Sequence, residues 1–178
     1  MYKKSTIASL SSLVLILALL PGCFWDTKKE NTALESLKTG LFVVDVNSQK
    51  QYDDCHIKGA IHANLDELDA LAQTLDKEKS DVIFYCSNYM CAASGSAAQK
   101  FVNLGFKSVA AYEGGIAEWH QKGLPVEGPA QESYLAIVMN KPAHKDETTS
   151  MIEAEALAQK MGQGLPSHEE VIEEEILD

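Results

Sequence analysis

The stretch Ser80-Asp81-Val82-Ile83-Phe84-Tyr85-Cys86-Ser87-Asn88-Tyr89-Met90-Cys91-Ala92-Ala93, continued by a small-residue and apolar run to Gly105, decides the fold. Val82 to Tyr85 is a β-branched and aromatic run of strand length, and it stops at a cysteine. A short polar loop follows, and the spacing then predicts a helix over 92–104 with Gly105 as its C′ residue. The order is strand, turn, helix. It puts the Cys86 thiol in front of a helix N-terminus, where unpaired N–H groups and the positive end of the helix dipole favour a thiolate. A buried core cysteine is the competing reading of the same segment.

Working outward, Leu41 to Val46 is a near-continuous apolar run that fits a parallel strand covered on both faces. Leu65, Leu68, Leu71, Ala72 and Leu75 recur at helical spacing. Val109 to Tyr112 predicts a third strand, and Gly115 to Lys122 a short helix before Gly123 and Pro125. Thr32 to Leu37 has the pattern of a further short helix ending at Gly40. Strands alternating with helices at these spacings predict an α/β fold, a central parallel sheet flanked by helices and built from βαβ units. The order of the strands is not legible.

The two ends differ in character from this middle. Lys3 and Lys4 precede an apolar stretch from Ile7 to Leu20, the layout of a secretory signal peptide. Leu20-Pro21-Gly22-Cys23 resembles the lipobox of bacterial lipoproteins, which implies removal of residues 1–22 and a diacylglyceryl thioether on Cys23. The expectation is an exported protein of the cell envelope, lipid-anchored at a membrane surface, on the periplasmic side if the source has two membranes. Several acyl chains on one residue hold firmly where a single chain binds marginally. Residues 23–31 read as a polar tether. In 129–178, three lysines stand against eleven acidic residues, an acidic C-terminal extension with a helix expected over Met151 to Met161. Its tail reads as a solvated solubilising segment, with docking of a protein partner or metal ions as the functional alternative.

The formal net charge is −11, and all 15 basic residues are lysine. Such a surface disfavours nucleic acid and anionic lipid headgroups, and it lacks the planar fork that binds oxyanions bidentately. The cysteines are Cys23, Cys55, Cys86 and Cys91. With the first lipidated, three thiols remain in an oxidising compartment, and an odd number flags a free or exchangeable one. No dense His/Cys ligand set and no Gly-rich phosphate loop is visible, so no metal or organic cofactor is expected.

Four motifs then stand in order: Leu41-Phe-Val-Val-Asp45-Val with Tyr52; His56-Ile-Lys-Gly-Ala-Ile61; Ile83-Phe-Tyr-Cys86; and Tyr112-Glu-Gly-Gly115 with Trp119 and Gly123-Leu-Pro125. Over residues 32–128 the chain resembles a single-domain rhodanese. The resemblance implies that Cys86 is the catalytic cysteine, accepting sulfane sulfur as a persulfide and passing it to a thiol or cyanide. It also implies that Ser87, Asn88, Tyr89, Met90 and Cys91 form the substrate-binding loop, whose backbone N–H groups point at the sulfur. His56, Asp45 and Cys55 read as structural residues.

Departures from the family pattern carry their own expectations. Asn47 and Gln51 stand where an ion pair is common, which suggests an amide hydrogen bond in its place. The loop Ser87 to Cys91 holds no basic residue, so weak use of dianionic thiosulfate is expected, and oxyanion-clamping phosphatase chemistry is disfavoured. Cys91 is either a passive loop residue or the partner of Cys86 in persulfide resolution or a thiol–disulfide switch. A non-catalytic lipid-anchored binding module is the third alternative.

Overall fold

Phe84 and Cys86 share a side of their strand, while Ile83 and Tyr85 share the other, as the two-residue period of a strand dictates. In the computed structural model, which describes residues 40–141 and 149–163, this alternation divides the core between the two faces of one sheet. Cys23, residues 1–39 with the leader, tether and helix expected there, and residues 164–178 lie outside the described residues.

The elements in chain order are β1 (Gly40–Asp45), α1 (Gln49–Asp54), β2 (His56–Ile57), β3 (Ile61–His62), α2 (Leu68–Thr74), β4 (Ser80–Tyr85), α3 (Ala93–Asn103), β5 (Ser108–Tyr112), α4 (Gly115–Gln121), β6 (Val126–Glu127), a 3-10 turn (Ser133–Ala136) and α5 (Ala154–Lys160). The sheet runs β3-β1-β4-β5 with every neighbouring pair parallel. β4 is therefore central and buried on both faces, which is why its sequence is a continuous apolar run. On one face Val44, Val82 and Phe84 pack with Ala97, Ala98, Phe101 and Phe106; on the other Val43, Ile83 and Tyr85 pack with Ile116, Trp119 and Leu157. Gly105, at φ 93°, ends α3 in the left-handed conformation expected of it.

Three features depart from the sequence reading. α1 is an unexpected helix, started by a capping box in which Ser48 and Gln51 satisfy each other's backbone. Gln51 Oε1 accepts from Ser48 Oγ at 2.9 Å, so the expected amide hydrogen bond to Asn47 does not form, and Asn47 faces Asp45 instead. The local cap lies three residues away and outcompetes the longer-range pairing. β3 is a short parallel edge strand, with Val44 opposite Ile61.

The described part of the C-terminal extension is built into the core rather than appended to it. Leu135, Ala154, Leu157 and Ala158 are buried against Ile116 and Trp119. Asp54 fastens its beginning, accepting the Ala130 N–H through its backbone carbonyl at 2.8 Å and the Gln131 and Glu132 N–H groups through its carboxylate at 3.0 Å each. Further on, Met151 bridges in parallel to Ala111 of β5. The helix expected over Met151 to Met161 forms as α5, and its apolar stripe packs into a core that extends past the limit of the family resemblance at residue 128.

Candidate active site

The loop between β4 and α3 is held from below by α4. The Ile116 N–H donates to the Cys86 carbonyl at 2.9 Å and the Ala117 N–H to the Ser87 carbonyl at 3.0 Å. These are first-turn donors that the helix cannot satisfy itself, so they lock the loop to α4. Within the loop, Asn88 organises the turn: its side-chain oxygen accepts from Met90 N–H and its carbonyl from Cys91 N–H, both at 3.0 Å. Tyr89 reaches outward to Glu118 of α4, which also accepts from the Tyr112 hydroxyl at 2.9 Å. Met90 is the exposed tip, with 80% of its surface open. All six residues expected at the site are thus brought together in one loop.

Cys86 is fully buried. Its Sγ donates to the Cys91 carbonyl at 3.2 Å and meets Ser94 Oγ at 3.4 Å. The Cys91 side chain, half-buried, neighbours it, and neither sulfur forms a disulfide. α3 has no side-chain cap: Ala92 stands at its N-cap. The sulfurs take that place, Cys91 accepting from the Ala93 backbone and Cys86 from the Ser94 backbone.

The two thiols of the loop are shifted in opposite directions. The Cys91 thiol is lowered to about 5, chiefly by its hydrogen bond from Cys86 and further by the N–H groups of Ala93 and Ser87 and the Ser87 hydroxyl. Cys86 is pushed well above the ordinary thiol range, first by its bond to Cys91 and then by burial. Burial favours the proton on Cys86, and the converging N–H groups favour the anion on Cys91. The expectation that the loop's amides converge on Cys86 is corrected accordingly. The Ser87 N–H points at Cys91, and those of Met90 and Cys91 are used on Asn88.

The residues read as structural behave so. The Asp45 carboxylate accepts from the Asn47 N–H at 2.8 Å, and burial raises its pKa. His56 is stacked on Tyr52 at 3.8 Å, bonded through Nδ1 to the Tyr52 carbonyl at 2.7 Å and paired through Nε2 with Glu127 at 3.3 Å. Cys55 is buried on the opposite core face from Cys86, its thiol pushed up to about 11 by desolvation. Ser94 and Glu118 were not singled out from sequence. A serine in the first turn after the cysteine loop was the available signal for Ser94; nothing local marks Glu118.

A cavity of about 360 Å³ adjoins the loop, lined by Asn88, Tyr89, Glu118, Lys122, Lys141 and Glu153 among others. Its two lysines are engaged by carboxylates, Lys122 with Glu155 at 2.7 Å and Lys141 with Glu153. A larger hollow of about 600 Å³ runs along α3 and Met151, and no residue of the 86–91 loop lines it.

The rhodanese-like domain model matches residues 29–122 of the chain. Thiosulfate sulfurtransferase GlpE of Coxiella burnetii is 37% identical over 82 residues, covering 46% of this chain and 74% of that protein. The tRNA sulfurtransferase of Pyrobaculum aerophilum is 29% identical over 82 residues, covering 46% of this chain and 16% of that protein. Among solved structures, the BH2092 protein of Bacillus halodurans aligns at a TM-score of 0.47 and 27% identity, over 58% of this chain and 87% of that one. A rhodanese from E. coli aligns at 0.42 and 26%, over 50% and 99%. By the span of the family match and its likeness to GlpE, the chain belongs to the rhodanese-like domain family and is an enzyme of the rhodanese sulfurtransferase type.

Proposed function

We propose that sulfane sulfur is carried as a persulfide on Cys86 and passed to a thiophilic acceptor, a small thiol or cyanide. The observation that carries this reading is the placement of Cys86 between the central strand β4 and α3, with the Ser94 hydroxyl 3.4 Å from its sulfur. Cys86 attacks the sulfane atom of the donor, and its proton passes to the departing remainder. The donor's S–S bond breaks and its remainder leaves with the electron pair, as sulfite when the donor is thiosulfate. The acceptor then attacks the outer sulfur of the persulfide, and Cys86 departs as a thiolate, stabilised by the Ser94 N–H and hydroxyl. Entry of the donor requires the loop to open, since Cys86 is fully buried.

With no basic residue between Ser87 and Cys91, a dianion gains only backbone dipoles, so a persulfide donor is preferred to thiosulfate. The test incubates the protein with glutathione persulfide or thiosulfate and measures intact mass and thiocyanate formed from cyanide. A one-sulfur adduct present in the parent or in Cys91→Ser and lost in Cys86→Ser supports the reading; an adduct that survives Cys86→Ser overturns it. We further propose that the enzyme works in the cell envelope, held by lipid on Cys23, on the strength of the leader sequence. Cys23→Ser should then move it from the membrane fraction to the soluble one.

A further inference from the structure

The persulfide reading leaves one nucleophile unused after sulfur has been loaded. Cys91 occupies the last position of the loop, and its carbonyl accepts from the Cys86 thiol at 3.2 Å. It is half-buried where Cys86 is wholly buried, and the first-turn N–H of Ala93 and the backbone and hydroxyl of Ser87 converge on it. A passive loop residue needs none of this. The third described thiol, Cys55, packs on the other face of the sheet and takes no part.

Resting on the persulfide reading above, we infer that Cys91 is a resolving cysteine, whose sulfur attacks the Cys86 sulfur of the persulfide and expels the outer sulfur as hydrosulfide. The bond formed is Cys86 Sγ–Cys91 Sγ, and the bond broken is that between Cys86 Sγ and the sulfane atom. The leaving sulfur takes the bonding pair and is reduced, while the two cysteine sulfurs are oxidised to a disulfide. The Cys91 thiol proton leaves with the departing sulfide, so a persulfide anion and a thiol become a disulfide and HS⁻. An external dithiol then reduces the disulfide by exchange, becoming a disulfide itself and restoring both cysteines. The site thereby acts as a sulfane-sulfur reductase when a dithiol is the partner, and as a transferase when a single thiol or cyanide reaches the outer sulfur first.

Two physical arguments favour attack from within. The two cysteines share one loop, with the Cys91 carbonyl 3.2 Å from the Cys86 sulfur, so the reaction is intramolecular, with the advantage that a positioned nucleophile has over one from solution. Closure asks that the Cys91 side chain bring its sulfur to about 2.05 Å from that of Cys86. The Ala93 N–H and the Ser87 backbone and hydroxyl favour anionic character on the Cys91 sulfur as it attacks.

The test uses the full chain, reduced and then freed of reductant under anaerobic conditions, with glutathione persulfide as donor and no acceptor. The parent protein should release roughly one equivalent of sulfide per chain and finish two hydrogens lighter, with Cys86 and Cys91 joined in its peptide map. Cys91→Ser, with Cys91→Ala as a second variant, should instead accumulate the one-sulfur adduct and release about tenfold less sulfide. Its bound sulfur should be recovered as thiocyanate when cyanide is added. A parent protein that keeps the adduct as fully as Cys91→Ser, without the disulfide, overturns the inference and leaves the persulfide reading standing. No adduct in either Cys91 variant and no disulfide in the parent overturns both.

Discussion

A Cβ on Gly115 would stand 2.4 Å from the Cys86 carbonyl oxygen and 2.7 Å from the Asn88 nitrogen. Gly115 also has φ 64°, so the position excludes a side chain twice over, by conformation and by contact. Gly115→Ala therefore pushes the loop off α4 and breaks the clamp made by the Ile116 and Ala117 N–H groups. The left-handed backbone alone costs about 1–2 kcal/mol. Sulfur transfer should fall about tenfold or more, beyond what the lowered melting temperature explains. A variant with parental transfer rates would show that the clamp does not position Cys86.

Leu157→Ala tests whether the segment after Pro129 belongs to the fold. Leu157 is fully buried against the α4 side of the sheet, so its truncation should cost about 2–5 kcal/mol in urea denaturation. A loss near zero would return the extension to the status of a solvated appendage.

That segment was readable in part: the helix expected over Met151 to Met161 forms as α5, but its docking on the sheet was not legible. The parallel sheet was legible because Leu41–Val46 and Val82–Tyr85 are continuous apolar runs, which only a doubly covered strand needs. Leu135, Ala154 and Leu157 are dispersed among charges, and their burial depends on where a distant chain reversal delivers them. The loop's membership was legible for a similar reason: six consecutive residues between a strand and a helix have nowhere else to go. Which sulfur the amides favour was not. That choice is set by the burial of Cys86 on its strand face and by the direction of a few N–H groups, quantities that spacing does not encode.

Glu118 links the loop to the sheet, accepting the Tyr112 hydroxyl at 2.9 Å and holding Tyr89. Glu118→Ala leaves the mostly buried Tyr112 hydroxyl without its acceptor and frees Tyr89, so stability should fall by about 1–3 kcal/mol. KM for the sulfur donor should rise, because the loop loses its outer tether. Tyr112→Phe removes donor and demand together and should cost less. Equal losses in the two variants would assign the effect to packing instead.

The three described thiols should react in a fixed order. Cys91, lowered to about 5, is already thiolate at pH 6, and it is the most exposed of the three. Iodoacetamide at about pH 6 should therefore label Cys91 first, far faster than a free cysteine, whose thiol titrates near 8.5. Cys86 is held protonated and buried, and Cys55 is raised to about 11, so both should wait for loop opening or unfolding. Stability carries the same signature. A depressed native value means that the folded protein binds the Cys91 proton less tightly than the unfolded chain does. The stabilisation from this group is complete above the unfolded thiol range and is lost as pH falls through about 5. Cys91→Ser removes that component, so the urea midpoints of variant and parent should converge on acidification toward pH 5. Peptide mapping that finds Cys86 labelled first at pH 6, or midpoints that stay parallel, would place the anion on Cys86.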